Sequence, residues 1–239
     1  MRFFIVHAHH EPKSFNGAMT REATSALRDA GHEVVVSDLY AMGFNPVSDR
    51  RNFTTVLDPD YLKQQNEEAH AAKVDGFAAE LDAEMEKLFW CDVLILQFPM
   101  WWFGLPAILK GWVDRVFAAG GKLYGGGKWY DNGVLAGRRA MCSITVGGPE
   151  TMYGADGLNG AMEGILFPIN HGILRFVGFT VVQPFLVHAP ARLDDQARAS
   201  RLADYRARVV GISQAPVIVY PPLADYDETY RLKRRPVAE

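Results

Sequence analysis

Three short segments of this 239-residue chain concentrate residue types suited to holding a ligand rather than filling a core. The first, A-H-H-E-P-K-S-F-N-G-A-M (8–19), sets Ser14 and Asn16, both natural helix caps, beside Gly17, which admits a close approach to the backbone. A helix start of this kind leaves N–H groups free and attracts a phosphate. The second, Q-F-P-M-W-W-F-G-L-P-A-I-L-K-G-W-V-D-R-V-F (97–117), carries Met100, Trp101, Trp102 and Phe103 on a loop. Large aromatic rings exposed on a loop are costly unless they cover something flat. The third, T-V-G-G-P-E-T-M-Y (145–153), makes a Gly147–Gly148 turn whose N–H groups can meet a carbonyl or ring nitrogen, with the Tyr153 phenol as a further donor. Singly, each has a plain explanation: a helix cap, a local core or dimer interface, a common turn. His9 and His10 alone fit a solvated loop.

The elements around these segments put them on one edge. Strand patterns at Phe3–Ala8, Glu33–Tyr40, Asp92–Phe98, Arg139–Val146 and Thr180–His188 alternate with helical ones at Phe15–Ala30, Lys73–Phe89, Ala161–Phe176 and Arg192–Ile212, and Pro106 opens another helix. Residues 41 to about 72 are predicted to be an irregular insertion, and Gly120–Gly137 a glycine-rich loop. Five strands joined by right-handed crossovers predict an α/β fold with a doubly wound parallel sheet. Ligands of such sheets sit beyond the carboxyl ends of the strands, and all three segments lie there. Together they fit a flavin: phosphate at the helix start, ring against the aromatic loop, glycine amides facing its N1/C2=O rim, where negative charge grows on reduction.

Composition narrows the class. A net charge of −3 gives no electrostatic reason to expect nucleic acid or an anionic membrane. No apolar run approaches the ~20 residues that span a bilayer. Cys91 and Cys142 lie in apolar segments without a C-x-x-C pair, which suits a reducing compartment, and a cytoplasmic protein is expected. Neither G-x-G-x-x-G nor G-x-x-x-x-G-K-[ST] occurs.

At S-F-N-G-A-M, S-D-L-Y-A-M-G-F-N-P, F-P-M-W-W-F-G-L-P-A-I-L-K-G-W, S-I-T-V-G-G with M-Y, and F-P-I-N-H-G-I-L-R-F-V-G-F, the chain resembles the NAD(P)H:quinone oxidoreductases of the DT-diaphorase type. The resemblance runs from residue 3 to about 210. It implies a flavodoxin-like catalytic domain over 1–212, with 213–239 as an extension rather than a domain. It further implies FAD (FMN being the alternative), a homodimer with shared active sites, and two-electron ping-pong hydride transfer from NAD(P)H or a smaller dihydronicotinamide to a quinone. Carried over by position, His9, Phe15, Asn16, Gly17 and Ala18 hold the pyrophosphate region. Met100, Trp101, Trp102 and Phe103 line the isoalloxazine, with Thr145, Val146, Gly147, Gly148 and Tyr153 on its pyrimidine side and Arg198 at the adenosine end. Tyr124, Gly125, Gly126, Trp129, Met152 and Phe176 wall the substrate slot.

Three departures from the family pattern stand out. Asn159 occupies the position of a proton-accepting histidine, and can donate a hydrogen bond but not take up a proton at neutral pH. Such an asparagine resembles the branch that prefers dihydronicotinamide riboside. That branch carries a metal site, but here Arg175 stands with His171 where a second histidine is needed, so no metal is expected. Gly126 and Trp129 replace a usual tyrosine and methionine, which reshapes the slot. Two rival readings are an FMN-dependent azoreductase or nitroreductase-like enzyme, and a regulatory subunit bound to a membrane transporter.

Overall fold

A computed structural model describes residues 1–233. Five strands, β1 (Arg2–His7), β2 (Glu33–Asp38), β3 (Val93–Pro99), β4 (Arg139–Val146) and β5 (Thr180–His188), pair in the order β2-β1-β3-β4-β5, all parallel. The chain reverses its winding direction between β1 and β3, so the carboxyl ends of β1, β3 and β4 lie side by side. Two cross-strand bonds stitch that edge: Ala8 N–H donates to Gln97 O (3.0 Å) and Met100 N–H to Thr145 O (2.9 Å).

Strand alternation sends successive side chains to opposite faces. Phe3 and Ile5 pack with Met19, Leu27, Val93, Ile95 and Tyr205 on one face. Phe4 and Val6 pack with Leu94, Leu96, Leu81 and Trp112 on the other. The first face is covered by α1 (Phe15–Asp29) and α6 (Asp195–Val210), the second by α3 (Ala79–Trp90) and α4 (Ala107–Val116). β3 is buried along its whole length, as a strand covered on both faces must be.

Helix limits follow local chemistry. Ser14 Oγ accepts from Gly17 N–H (3.0 Å) at the start of α1, and Gly31, at φ +78°, stops it just beyond the end. Two expectations are corrected. The helix predicted over Lys73–Phe89 starts only at Ala79, as α3; Lys73 and Val74 instead end a separate helix, α2 (Gln64–Val74), which stops where Asp75 turns left-handed at φ 53° and occupies part of the insertion read as irregular. The helix predicted over Ala161–Phe176 is α5 (Met162–Ile169) running into a π-helical turn, Asn170–Arg175. Pro168 lies inside α5 and lacks the N–H of a regular turn, which favours the wider winding that follows.

The segment after α6 recrosses the molecule. Val217 bridges to Val182 at the free edge of β5, and Leu223 N–H donates to Asp131. Residues 234–239 of the expected 213–239 extension lie outside the described residues.

Both cysteines are buried, and burial pushes each thiol up to about 12.

Candidate active site

The carboxyl edge holds a cavity of about 550 Å³, lined by His9, Phe15, Asn16, Ala18, Thr145 and Arg198 among others. These six come from the ends of β1 and β4, the first turn of α1 and the flank of α6. His9 Nδ1 accepts from Glu11 N–H (3.0 Å), so in the neutral ring Nε2 carries the proton. Burial, with His10 alongside, lowers the His9 pKa and keeps that ring neutral near pH 7.

Asn16 is 1% exposed. Its Nδ2 donates to Thr145 Oγ1 (3.1 Å), and its Oδ1 has no partner. A buried unpaired acceptor at a cavity wall is a cost that a ligand hydroxyl would remove. The capped start of α1 supplies amide dipoles to the same space. A nucleotide's phosphates and sugar hydroxyls therefore fit the groups present. The Gly17 N–H donates to Ser14 Oγ, and a Cβ there would lie 2.4 Å from Pro12 O, so its smallness admits the close packing of the loop.

Beside the cavity, the loop after β3 closes as a two-residue turn. Trp101 N–H donates to Gly104 O (3.2 Å) and Gly104 N–H to Trp101 O (3.0 Å), which leaves Trp102 at φ 50° and Phe103 at φ 60°. Bulky residues rarely adopt that conformation, and each costs of order 1–3 kcal/mol. The strain holds both rings outward: Trp102 is 97% exposed and Phe103 50%. Trp101 turns back instead, with ring centroids 6.0 Å from His9 and 5.6 Å from His10. Met100 is half-buried behind it.

The third wall follows β4 and Val146. A Cβ on Gly148 would sit 3.2 Å from Met152 Sδ and from the Tyr153 hydroxyl, whereas Gly147 faces open space. Gly148 thus lets the Glu150–Tyr153 turn fold against the strand end. Asn159 N–H donates to Met152 O (2.9 Å) and ties its own segment to that turn. Met152, expected among the slot walls, lies with Tyr153 here.

The remaining slot residues assemble elsewhere. Phe176 gathers Tyr124 at 5.5 Å and Trp129 at 6.3 Å between ring centroids, beside Gly125 (φ 112°) and Gly126 (φ 61°). None of these lines the 550 Å³ cavity.

Sequence reasoning missed the fourth strand end. Pro190, Ala191 and Leu202 also line the cavity, and the His188 ring lies 5.6 Å from that of Tyr153. The signal was available in H-A-P, where β5 reaches the same edge. Among the described residues no three of His, Cys, Asp and Glu converge as a metal site would require. His171 is stacked on Phe167 at 4.7 Å.

A model described as flavodoxin-like fold matches residues 1–209. An NAD(P)H dehydrogenase [quinone] 1 from Cavia porcellus is 40% identical over 231 residues, spanning 96% of this chain and 84% of the relative. The chain belongs to the flavodoxin-like NAD(P)H:quinone oxidoreductase family. A human ribosyldihydronicotinamide dehydrogenase [quinone] of that family is 39% identical over 209 residues, covering 87% of this chain and 90% of its own. A crystal structure of a candidate quinone reductase from Klebsiella pneumoniae superposes with a TM-score of 0.94 at 36% identity, over 98% of this chain and 94% of that one. Members of both quinone-named branches thus match almost equally well.

Proposed function

We propose that this chain is a flavin-dependent NAD(P)H:quinone oxidoreductase whose cofactor is FAD. The observation that carries the reading is the adjacency of two features at one sheet edge. A cavity walled by the capped start of α1 adjoins a strained turn that presents Trp102 and Phe103 to solvent. Nucleotide and ring have separate, contiguous places.

His9, Phe15, Asn16 and Ala18 hold the pyrophosphate and adjoining hydroxyls, with the Asn16 amide paired to Thr145 and ready to accept. Arg198, on the α6 side of the cavity, reaches the adenosine half; an extent as far as α6 favours a dinucleotide over a mononucleotide. Met100, Trp101, Trp102 and Phe103 bed the tricyclic ring, and the amides of Gly147 and Gly148 meet its pyrimidine rim beside Thr145 and Val146. Tyr153 donates at the same rim, with Asn159 as a second donor. Bound there, FAD supplies reversible acceptance of a hydride. The residues around it fix the ring's orientation and favour negative charge on its pyrimidine side by preorganised donors.

Donor and acceptor take turns in one slot, a ping-pong order. That slot needs a second aromatic wall. Tyr124, Gly125, Gly126, Trp129 and Phe176 form one apart from the ring-binding turn, and a second copy of the chain brings its wall over the first copy's ring. The exposure of Trp102 supports that dimer.

The test is direct. Purified protein saturated with FAD and FMN, then heat-released and chromatographed, should yield FAD. The holoprotein should reduce menadione with at least one of NADH, NADPH and dihydronicotinamide riboside. A protein that retains neither flavin and oxidises none of the donors overturns the proposal.

A further inference from the structure

A second cavity, of about 140 Å³, lies where the C-terminal segment crosses the π-helical turn. Its walls include Tyr130, His171, Arg175, Leu223, Tyr226 and Tyr230. Cavities near 150 Å³ admit a single benzene-sized ring. Three observations, independent of one another, mark it as more than a packing gap. Tyr130 and Tyr230, from segments a hundred residues apart, both take left-handed backbone, at φ 46° and 61°; strained residues gather at ligand clamps. His171 and Arg175 both project from the π-helical turn, an irregularity that recurs at functional sites. The Arg175 guanidinium, 15% exposed, is joined to Asp131 through one nitrogen, and its other N–H groups have no protein acceptor among the described residues. Asp131 meets Arg175 with Oδ1 and accepts from Leu223 N–H with Oδ2, which fixes the guanidinium by one edge and leaves its other edge toward the cavity.

We infer that this cavity is a second ligand site, for a single-ring aromatic carboxylate. Tyrosine and imidazole faces sandwich the ring, and the unused edge of Arg175 receives the carboxylate in charge-assisted hydrogen bonds. The site backs onto the slot wall. Tyr130 meets Phe176 edge-on at 5.4 Å, and Tyr230 meets Trp129 edge-on at 6.3 Å. An occupant that fixes both tyrosines also fixes Trp129 and Phe176, and so alters the KM for the acceptor. Binding does not depend on the quinone-reductase reading; this coupling does.

Benzoate is the probe, followed by saturation-transfer NMR on the purified protein with its flavin. It should bind, saturating menadione should shift its affinity to a finite limit rather than compete it out, and the flavin absorbance should be unmoved. Leu223→Trp, which fills the cavity from a position outside the proposed catalytic machinery, should abolish the signal while melting stays cooperative. Arg175→Lys should weaken binding about tenfold, since a point charge replaces a bidentate fork. Absence of binding at millimolar benzoate, complete competitive displacement by menadione, or equal binding to Leu223→Trp would each overturn the site. Binding with an unchanged menadione KM would overturn the coupling. If the protein holds no flavin, the reading above fails, yet the benzoate and Leu223→Trp comparison still stands.

Discussion

Trp102 and Tyr153 carry opposite kinds of prediction. Trp102 contributes almost nothing to the core and sits in backbone that glycine adopts freely. Trp102→Gly should raise the melting temperature of flavin-free protein by a few degrees, because relief of about 1 kcal/mol of strain shifts a chain this size by roughly 2–4 °C. The same change should weaken flavin binding. A mutant that loses both stability and flavin would show the turn to be a structural rather than a ligand-holding device, and scanning calorimetry with flavin fluorescence titration tells the two apart. Tyr153→Phe keeps the ring that packs by Gly148 and His188 and removes only the hydroxyl. Loss of one preorganised donor costs about 3 kcal/mol of barrier, so stopped-flow flavin bleaching should slow by roughly a hundredfold with the flavin retained. A wild-type rate would remove Tyr153 from the mechanism.

Among the elements, α2 has the most to say about the slot. Its Glu68, 4% exposed, accepts from Ala119 N–H (2.7 Å) and from Gln64 Nε2 (2.7 Å), and so anchors the glycine-rich loop that leads to Tyr124. Burial raises the Glu68 pKa. The charged form is therefore disfavoured in the fold, and a stability penalty grows as pH rises from the free-carboxyl value of 4.5 through the raised one. Glu68→Gln removes the charge and keeps one acceptor oxygen for Ala119 N–H, while Gln64 can turn its amide so that its oxygen meets the new NH2. The substitution should stabilise the protein at pH 8 and make no difference below pH 4.5, as urea midpoints across pH would show; equal midpoints at pH 8 would remove the penalty. This helix was hidden in the sequence, since Q-Q-N-E-E-A-H-A-A-K has a weak apolar stripe and its Asp75 stop precedes an equally helical run. Strands were easier to read: D-V-L-I-L-Q-F carries the unbroken apolar run V-L-I-L, and Arg139–Val146 and Thr180–His188 match their predicted limits. The three segments proposed to hold the ligand stood out in the sequence because their residue types conflict with their positions, aromatics on a loop above all. The strain that aims Trp102 and Phe103 was not, because a W-W-F-G stretch does not declare its backbone angles.

At the level of the whole molecule, the aromatic turn and the Phe176 cluster are two halves of one proposed slot. If the halves meet across a dimer, mixed inactive variants should complement. Trp102→Ala and Phe176→Ala, each nearly inactive alone, should regain about a quarter of wild-type turnover after co-refolding in equal amounts, since half the dimers are mixed and each then holds one intact site. A slot built within one chain predicts no recovery. Size-exclusion chromatography with light scattering on the same samples separates failure to mix from failure to complement.

Cys91 and Cys142 give this architecture a chemical safeguard. Quinones are electrophiles that add to thiolates, and a catalyst that admits them at high local concentration risks arylating itself. With both sulfurs out of solvent and their acidity suppressed to about 12, almost no nucleophilic sulfur exists at neutral pH. Neither cysteine therefore offers a reactive compound passing through the site a thiolate to add to.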